Sequence, residues 1–244
     1  DPLPEILQLR EEFGFRLHAD AAYGGYFVLA ENLAENARRS FARIGEADSI
    51  VIDPHKHGLQ PYGCGCVLFR DPAVGRLYKH DSPYTYFSSA DLHLGEISLE
   101  CSRPGASAAA LWATQKLLPL VRGGEFAKGL EKGRSAALKF WQVIDQGKTL
   151  AAAFEPELDI LCFVPRGGSL AEISSRSRRI FEAAARNGLH LAVAELPVRF
   201  WKERKQENGR DTVTCLRSVL MKPDHLEWVE AIVRRLDQAV AEVR

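Results

Sequence analysis

Short apolar runs separated by helical patterns make up the first half of the chain. Three runs are typical of buried strands, and they cover residues 15–19, 47–52 and 66–69. Apolar residues at helical spacing predict a helix over residues 6–13, with Gly14 as the stop. Residues 31–44, rich in Ala, Glu, Asn and Arg, predict a second helix. Strand, helix, strand order favours crossover connections, so these residues are predicted to build a sheet that contains parallel pairs.

Two further helices are predicted after a loop-rich stretch at residues 70–103. Residues 106–118 are small and apolar, which predicts a buried helix whose first residue is Pro104. Residues 125–144 predict a second, longer helix that leads out of the first domain.

The pattern changes after residue 147. Strands are predicted over residues 158–164, 189–196 and 212–220. A helix capped by Ser169 and an amphipathic helix from Asp224 onward accompany them. Three strands with two helices on one face predict a small α+β unit. We therefore predict an α/β domain with a mostly parallel sheet over residues 1–148, and a small α+β domain over residues 149–244.

Composition narrows the class of protein. The chain has 244 residues, 46% of them hydrophobic and 26% charged, which is ordinary for a globular protein. A net charge of +0 gives no electrostatic case for nucleic-acid or membrane partners, and no apolar run reaches the roughly 18 residues of a membrane span. The five cysteines indicate reduced thiols and a cytoplasmic location. No metal site is expected, because Cys64 and Cys66 lack zinc-ligand spacing.

Two strand ends present the candidate chemistry. Lys56 follows the apolar run that ends at Ile52, and Asp20 follows the run that ends at Ala19. Ligand groups collect at the carboxyl ends of strands in sheets of this kind. An amine and a carboxylate are the two groups that hold an aromatic aldehyde cofactor, the amine through a Schiff base and the carboxylate at the pyridine nitrogen.

Three sequence runs together resemble the group II pyridoxal-phosphate-dependent amino-acid decarboxylases of fold type I. They are His18-Ala19-Asp20-Ala21-Ala22-Tyr23-Gly24-Gly25, Ala47-Asp48-Ser49 through Asp53-Pro54-His55-Lys56, and Ser102-Arg103 before a helix. The order of elements is similar over all 244 residues. The resemblance implies the carboxyl-terminal half of the large cofactor-binding domain, followed by the small carboxyl-terminal domain.

The same resemblance assigns roles around pyridoxal 5'-phosphate. It implies that Lys56 forms the Schiff base, that Asp20 pairs with the pyridine nitrogen, and that Ala22 faces the ring. His55 is expected to contact the cofactor phosphate. Asp53 departs from the pattern, since several relatives have an asparagine there that reaches the phosphate.

Further residues are expected to act on the amino-acid substrate. By resemblance, a loop after the lysine carries a tyrosine into the partner subunit's site to return a proton, and both Tyr84 and Tyr86 qualify. The alternative is that these tyrosines are aromatic anchors of a surface loop. Arg103 is expected to bind the substrate carboxylate or to form an interface salt bridge. His18 is expected either to hold Asp20 in place or to serve as a structural histidine.

The function implied is decarboxylation of an L-amino acid to the amine and carbon dioxide by a homodimer. One alternative is another fold type I lyase or an aldehyde synthase, because these share the cofactor residues. Another is an inactive fragment or split subunit, because the family's enzymes are roughly twice this length. On that alternative, isolated 1–244 is expected to be poorly soluble or inactive.

Overall fold

The computed structural model describes residues 1–79, 105–201 and 211–243. The chain divides into two compact units. The first unit comprises residues 1–29 and 34–124, and the second comprises residues 30–33 and 125–244. The domain boundary after residue 148 stays a prediction, and residues 125–148 group with the second unit.

The first unit contains a three-stranded mixed sheet and short helices. Its strands are β1 (His18–Asp20), β2 (Ser49–Ile52) and β3 (Cys66–Phe69), in the order β1-β2-β3. Its helices are α1 (Leu3–Phe13), α2 (Glu35–Ala42) and α3 (Ala106–Leu117). Strand β1 runs parallel to β2, as the crossover order predicted, and β3 runs antiparallel to β2. Gly14 ends α1 in the left-handed conformation at φ 69°, as predicted.

Asp48 ties together the end of this sheet where β1 and β2 begin. Its Oδ2 accepts the Leu17 backbone N–H at 2.8 Å, and its Oδ1 accepts from the Arg70 guanidinium at 2.9 Å. The Leu17 hydrogen bond, followed by the nearby arginines, lowers the pKa of Asp48. One carboxylate thus joins the start of β1, the start of β2 and the end of β3. The carboxyl ends of β1 and β2 therefore share the opposite edge.

The second unit is a four-stranded antiparallel sheet with helices. The strands are β4 (Leu150–Ala152), β5 (Ile160–Pro165), β6 (Ala192–Pro197) and β7 (Thr212–Val219), in the order β4-β5-β7-β6. The helices are α4 (Glu125–Gln146), α5 (Leu170–Arg186) and α6 (His225–Val243). Ser169 caps α5 in a capping box with Glu172, which confirms the predicted start of that helix.

Both faces of this sheet are covered, because alternate residues of β5 point to two different cores. Leu161 and Phe163 lie in a core shared with α4, α5 and α6, where the Phe140 and Phe163 rings meet edge to face at 5.7 Å. Cys162 and Val164 lie in a second core that includes Trp201. A strand that is buried on both faces has a nearly continuous apolar sequence, and a strand was predicted over residues 158–164.

Two details of the predicted architecture are wrong. The described residues of the second unit form four strands and not three; the Leu150–Ala152 strand was missed because it is too short and too rich in alanine to show a strand pattern. Helix α3 forms as predicted, but none of its residues is buried, and Trp112 is 63% exposed. Its apolar sequence predicted burial that the described part of the chain does not supply. No helix in the described ranges is long and apolar enough to cross a membrane.

Candidate active site

Two turns meet at the sheet edge where β1 and β2 end. The Asp53 backbone N–H donates to the Ala22 carbonyl oxygen at 3.1 Å, which joins the turn after β2 to the turn after β1. His57 makes a second link, because its Nδ1 lies 2.9 Å from the Tyr23 carbonyl oxygen. A carbonyl oxygen only accepts, so Nδ1 carries the proton in this contact. The parallel pairing of β1 and β2 brings both turns to one edge.

Lys56, His55 and Asp53 form the charged part of the site. The Lys56 Nζ lies 2.9 Å from Asp53 Oδ2, and the His55 Nε2 lies 3.7 Å from the same oxygen. The Lys56 side chain is 33% exposed, so solvent reaches part of it. The His55 Nδ1 is buried and has no hydrogen-bond partner among the residues that the structure describes. An unpaired buried nitrogen of this kind is costly unless a ligand or water supplies the missing partner.

Asp20 and Ala22 lie on the neighbouring turn. Asp20 is the last residue of β1 and is solvent-exposed, and its Oδ1 accepts the Ala22 backbone N–H at 3.2 Å. The predicted carboxylate and the predicted small residue are therefore adjacent at the edge that presents Lys56. His18 Nδ1 lies 2.7 Å from the Ser49 hydroxyl, which favours the structural role for this histidine. The cofactor roles of Asp20, Ala22, His55 and Lys56 stay predictions.

His57 and Tyr26 are site residues that sequence reasoning missed. His57 is 4% exposed, and its ring packs edge-on against Tyr23 at 4.6 Å and Phe27 at 5.0 Å. Tyr26 is 8% exposed and approaches the backbone of Gly58 closely. The histidine directly after Lys56 was the only sequence signal, and its burial depends on aromatic residues thirty or more positions earlier. These residues pack against the turn that carries Lys56.

Tyr26 gives the site a stability signature at high pH. Burial, followed by the nearby Cys66 and Cys64 thiols, raises the pKa of Tyr26 from 10.0 to about 12. A raised pKa means that stability is fully present below about pH 10 and is lost as pH rises through about 12, by about 2–3 kcal/mol. We expect Tyr26→Phe to remove this part of the alkaline loss. Urea unfolding of both proteins from pH 8 to 12 measures this loss. The prediction is contradicted if the free energy of unfolding falls equally with pH in the two proteins.

Several predicted substrate residues fall outside the described ranges. Tyr84, Tyr86 and Arg103 are among them, so their roles stay predictions. Within those ranges, no group of three or more His, Cys, Asp or Glu side chains is placed to hold a metal ion. The charged and reactive groups of the candidate site are thus the Lys56 amine, the Asp20 and Asp53 carboxylates and the His55 imidazole, with His57 packed against the same turn.

Comparison with known proteins places the chain in a family. Residues 1–165 match the pyridoxal-dependent decarboxylase conserved domain. The chain is 33% identical over 190 residues to an L-tyrosine decarboxylase of Enterococcus faecium, a match that covers 62% of the chain and 31% of that enzyme. It is 33% identical over 171 residues to a probable L-tyrosine/L-aspartate decarboxylase of Methanothermobacter thermautotrophicus, covering 67% of the chain and 42% of that protein.

Solved structures show the same fold at lower identity. Oryza sativa TDC with PLP and tryptamine aligns with a TM-score of 0.77 at 16% identity, over 99% of this chain and 48% of that one. Mouse CSAD in apo form aligns with a TM-score of 0.71 at 20% identity, over 98% of this chain and 49% of that one. The chain therefore spans about a third to a half of the length of these relatives.

Proposed function

The chain belongs to the pyridoxal-dependent decarboxylase family, and from that premise we propose that it takes part in pyridoxal-phosphate-dependent decarboxylation of an L-amino acid to the amine and carbon dioxide. The observation that carries the proposal is the meeting of two turns at one sheet edge. One turn presents the Lys56 amine and the other presents the Asp20 carboxylate. These are the groups that the chemistry needs on opposite sides of one ring.

The residues present fit pyridoxal phosphate. The unpartnered, buried Nδ1 of His55 is a polar atom that a phosphate oxygen would satisfy. The partly exposed Lys56 amine can react with an aldehyde, and Ala22 leaves room beside Asp20. Asp53 fits less well, because its carboxylate would repel a phosphate once Lys56, its partner at 2.9 Å, binds the aldehyde.

Each residue of the site then has a defined task. Pyridoxal phosphate, when bound, supplies an electron-withdrawing ring that accepts the electrons released as the substrate loses its carboxylate. Lys56 would hold the cofactor until the substrate amine displaces it. Asp20 would keep a proton on the ring nitrogen, because a nearby negative charge stabilises the protonated form. His57, Tyr23 and Phe27 keep the lysine turn in place.

The proton that replaces the carboxylate needs a donor. Lys56 can return it through its Nζ, and the tyrosines at 84 and 86 remain candidates because a phenol is a competent donor. Arg103 remains the candidate for the substrate carboxylate, since a guanidinium binds a carboxylate through two hydrogen bonds.

We also propose a homodimer in the cytoplasm, with an L-amino acid as the small-molecule substrate. Cys64, Cys66, Cys162 and Cys215 are free thiols, which is typical of a reducing compartment. Symmetric dimers are the commonest oligomers, and part of the substrate pocket would come from the partner. The relatives named for L-tyrosine and L-aspartate direct the choice of substrates to test.

Carbon dioxide release tests the proposed reaction. The protein expressed from its complete gene is incubated with pyridoxal phosphate and carboxyl-labelled L-tyrosine, L-aspartate or L-glutamate. We expect labelled carbon dioxide and the matching amine in equal amounts from at least one of these, and a loss of about 100-fold or more with Asp20→Ala, because the ring nitrogen then loses its counter-charge.

The products separate the competing functions. An aldehyde in place of the amine would assign the aldehyde-synthase alternative, and 4-hydroxyphenylacetaldehyde synthase of Rhodiola rosea has this fold. An intact carboxylate on every L-amino acid tested would contradict decarboxylation. Glu157→Ala serves as the matched control, since this carboxylate lies in the second unit.

A further inference from the structure

We propose that Asp53 is a positioning residue that holds the Lys56 ammonium at the end of β2, so that this ion pair must open before the amine can react with an aldehyde. The proposal rests on the proposed function of Lys56 as the cofactor lysine. It adds that the reaction of this lysine is slowed by Asp53, a residue only three positions earlier in the same turn.

The distances assign Asp53 to Lys56. The Nζ–Oδ2 separation of 2.9 Å is that of a charge-assisted hydrogen bond. The alternative cation, His55, lies 3.7 Å from the same oxygen, which is too long for a hydrogen bond. Lys56 is therefore the primary partner of the Asp53 carboxylate. His55 lies close enough to become its partner after the Lys56 side chain moves away.

The backbone fixes the carboxylate in place. The Asp53 N–H is bound to the Ala22 carbonyl oxygen at 3.1 Å, and the Asp53 carbonyl oxygen accepts the Lys56 N–H at 2.9 Å. On the other side, a Cβ added at Gly65 would lie 3.1 Å from Asp53 Oδ1. The carboxylate thus sits between the Gly65 backbone and the amine, with its main chain tied to the neighbouring turn.

The chemistry of amine attack explains why this ion pair slows the reaction of Lys56. An amine attacks a carbonyl carbon through its lone pair, and an ammonium has none until it loses a proton to water. The 2.9 Å hydrogen bond from Nζ to Asp53 must break before the nitrogen can approach a carbonyl carbon. The two side chains are 33% and 22% exposed, so solvent screens the pair only in part. Lys56 should therefore react more slowly than a lysine without a fixed partner.

Chemical labelling measures how much Asp53 slows the reaction of Lys56, and it needs neither cofactor nor substrate. The protein, stripped of cofactor, is treated briefly with N-hydroxysuccinimidyl acetate at pH 7.5, and acetylation at Lys56 and Lys139 is quantified by mass spectrometry. We expect Asp53→Asn to raise the Lys56 to Lys139 labelling ratio by about five-fold, the equivalent of ~1 kcal/mol. Asp53→Glu keeps the charge and is expected to stay near the unmodified protein.

A matched ion pair provides the control. Lys139 Nζ lies 3.4 Å from Glu230, whose side chain is 75% exposed. Because exposed pairs contribute little, Glu230→Gln should change Lys139 labelling less than two-fold and leave Lys56 unchanged. If a variant instead destabilised the whole protein, labelling would rise at both Lys56 and Lys139.

A second aldehyde separates this effect from phosphate repulsion. Capture rates are measured by borohydride trapping with pyridoxal 5'-phosphate and with pyridoxal, which lacks the phosphate. An increase by Asp53→Asn with both aldehydes supports the proposal. An increase only with the phosphate form, or an unchanged labelling ratio, would overturn it. If the variant does not fold, the unmodified protein still tests the idea, because 1 M salt should raise the Lys56 ratio and an unchanged ratio would count against it.

Discussion

Replacing Lys56 by alanine is expected to abolish turnover, with a loss of about 1,000-fold or more, together with the visible absorbance of bound pyridoxal phosphate. The Lys56 amine can form a Schiff base with an aldehyde, and its turn is held by Asp53, Tyr23 and His57. No other described lysine is placed on either of the two joined turns. Carbon dioxide release and absorbance spectra of the purified variant measure both losses.

The controls for this variant separate chemistry from folding. Lys116→Ala removes another lysine of the first unit, whose Nζ lies 5.6 Å from the Trp112 ring centroid, and should leave turnover unchanged. Lys56→Arg keeps the positive charge beside Asp53 but cannot bind the aldehyde in the same way, so it should be as inactive as the alanine variant. Turnover and absorbance that both survive in Lys56→Ala would refute the assigned role.

Gly58→Ala is expected to disrupt the lysine turn and to destabilise the first unit by about 3 kcal/mol. A Cβ at this position would lie 2.4 Å from the Tyr26 hydroxyl, 2.7 Å from Pro54 Cα and 2.8 Å from the Pro54 carbonyl oxygen. Two of these atoms belong to the backbone of the same turn, so they cannot move away without moving Lys56. We therefore expect cofactor binding to fall along with stability.

A glycine of the same unit provides the comparison. A Cβ at Gly45 would meet no heavy atom within 4 Å, so Gly45→Ala should change stability by less than about 1 kcal/mol and leave cofactor binding intact. Urea unfolding gives the two free energies, and hydrogen exchange over residues 54–60 shows whether the loss begins at the turn. Equal stability of both variants would contradict the close packing of Gly58.

Local signals located most elements and fixed some of their ends, but not all: the helix predicted over residues 31–44 spans Glu35–Ala42, and the strand predicted over residues 15–19 spans His18–Asp20. Gly14 and Ser169 mark helix ends because a left-handed cap and a capping box depend on residues within one turn. Strand β3 was predicted at its observed bounds because a short apolar run is itself the signal. The family was also within reach, because its motifs are short contiguous runs around Asp20 and Lys56.

Other features depend on partners far away in the chain. Strand β4 exists because β5 pairs with it, and its own three residues carry little strand preference. The exposure of α3 depends on what packs over it, which its apolar sequence does not specify. In each case the local pattern describes the element but not its neighbours.

By itself, the sequence determined which chemical groups stand at the ends of β1 and β2, because hydrophobic patterning and short motifs are read over a few residues. Only the tertiary structure decided how those groups meet. The parallel pairing of β1 with β2 joins the two turns, and the packing of His57 against Tyr23 and Phe27 supports the lysine from beneath. The Asp53–Lys56 contact at 2.9 Å also emerged only from the folded turn, since side-chain direction depends on backbone geometry and not on spacing alone.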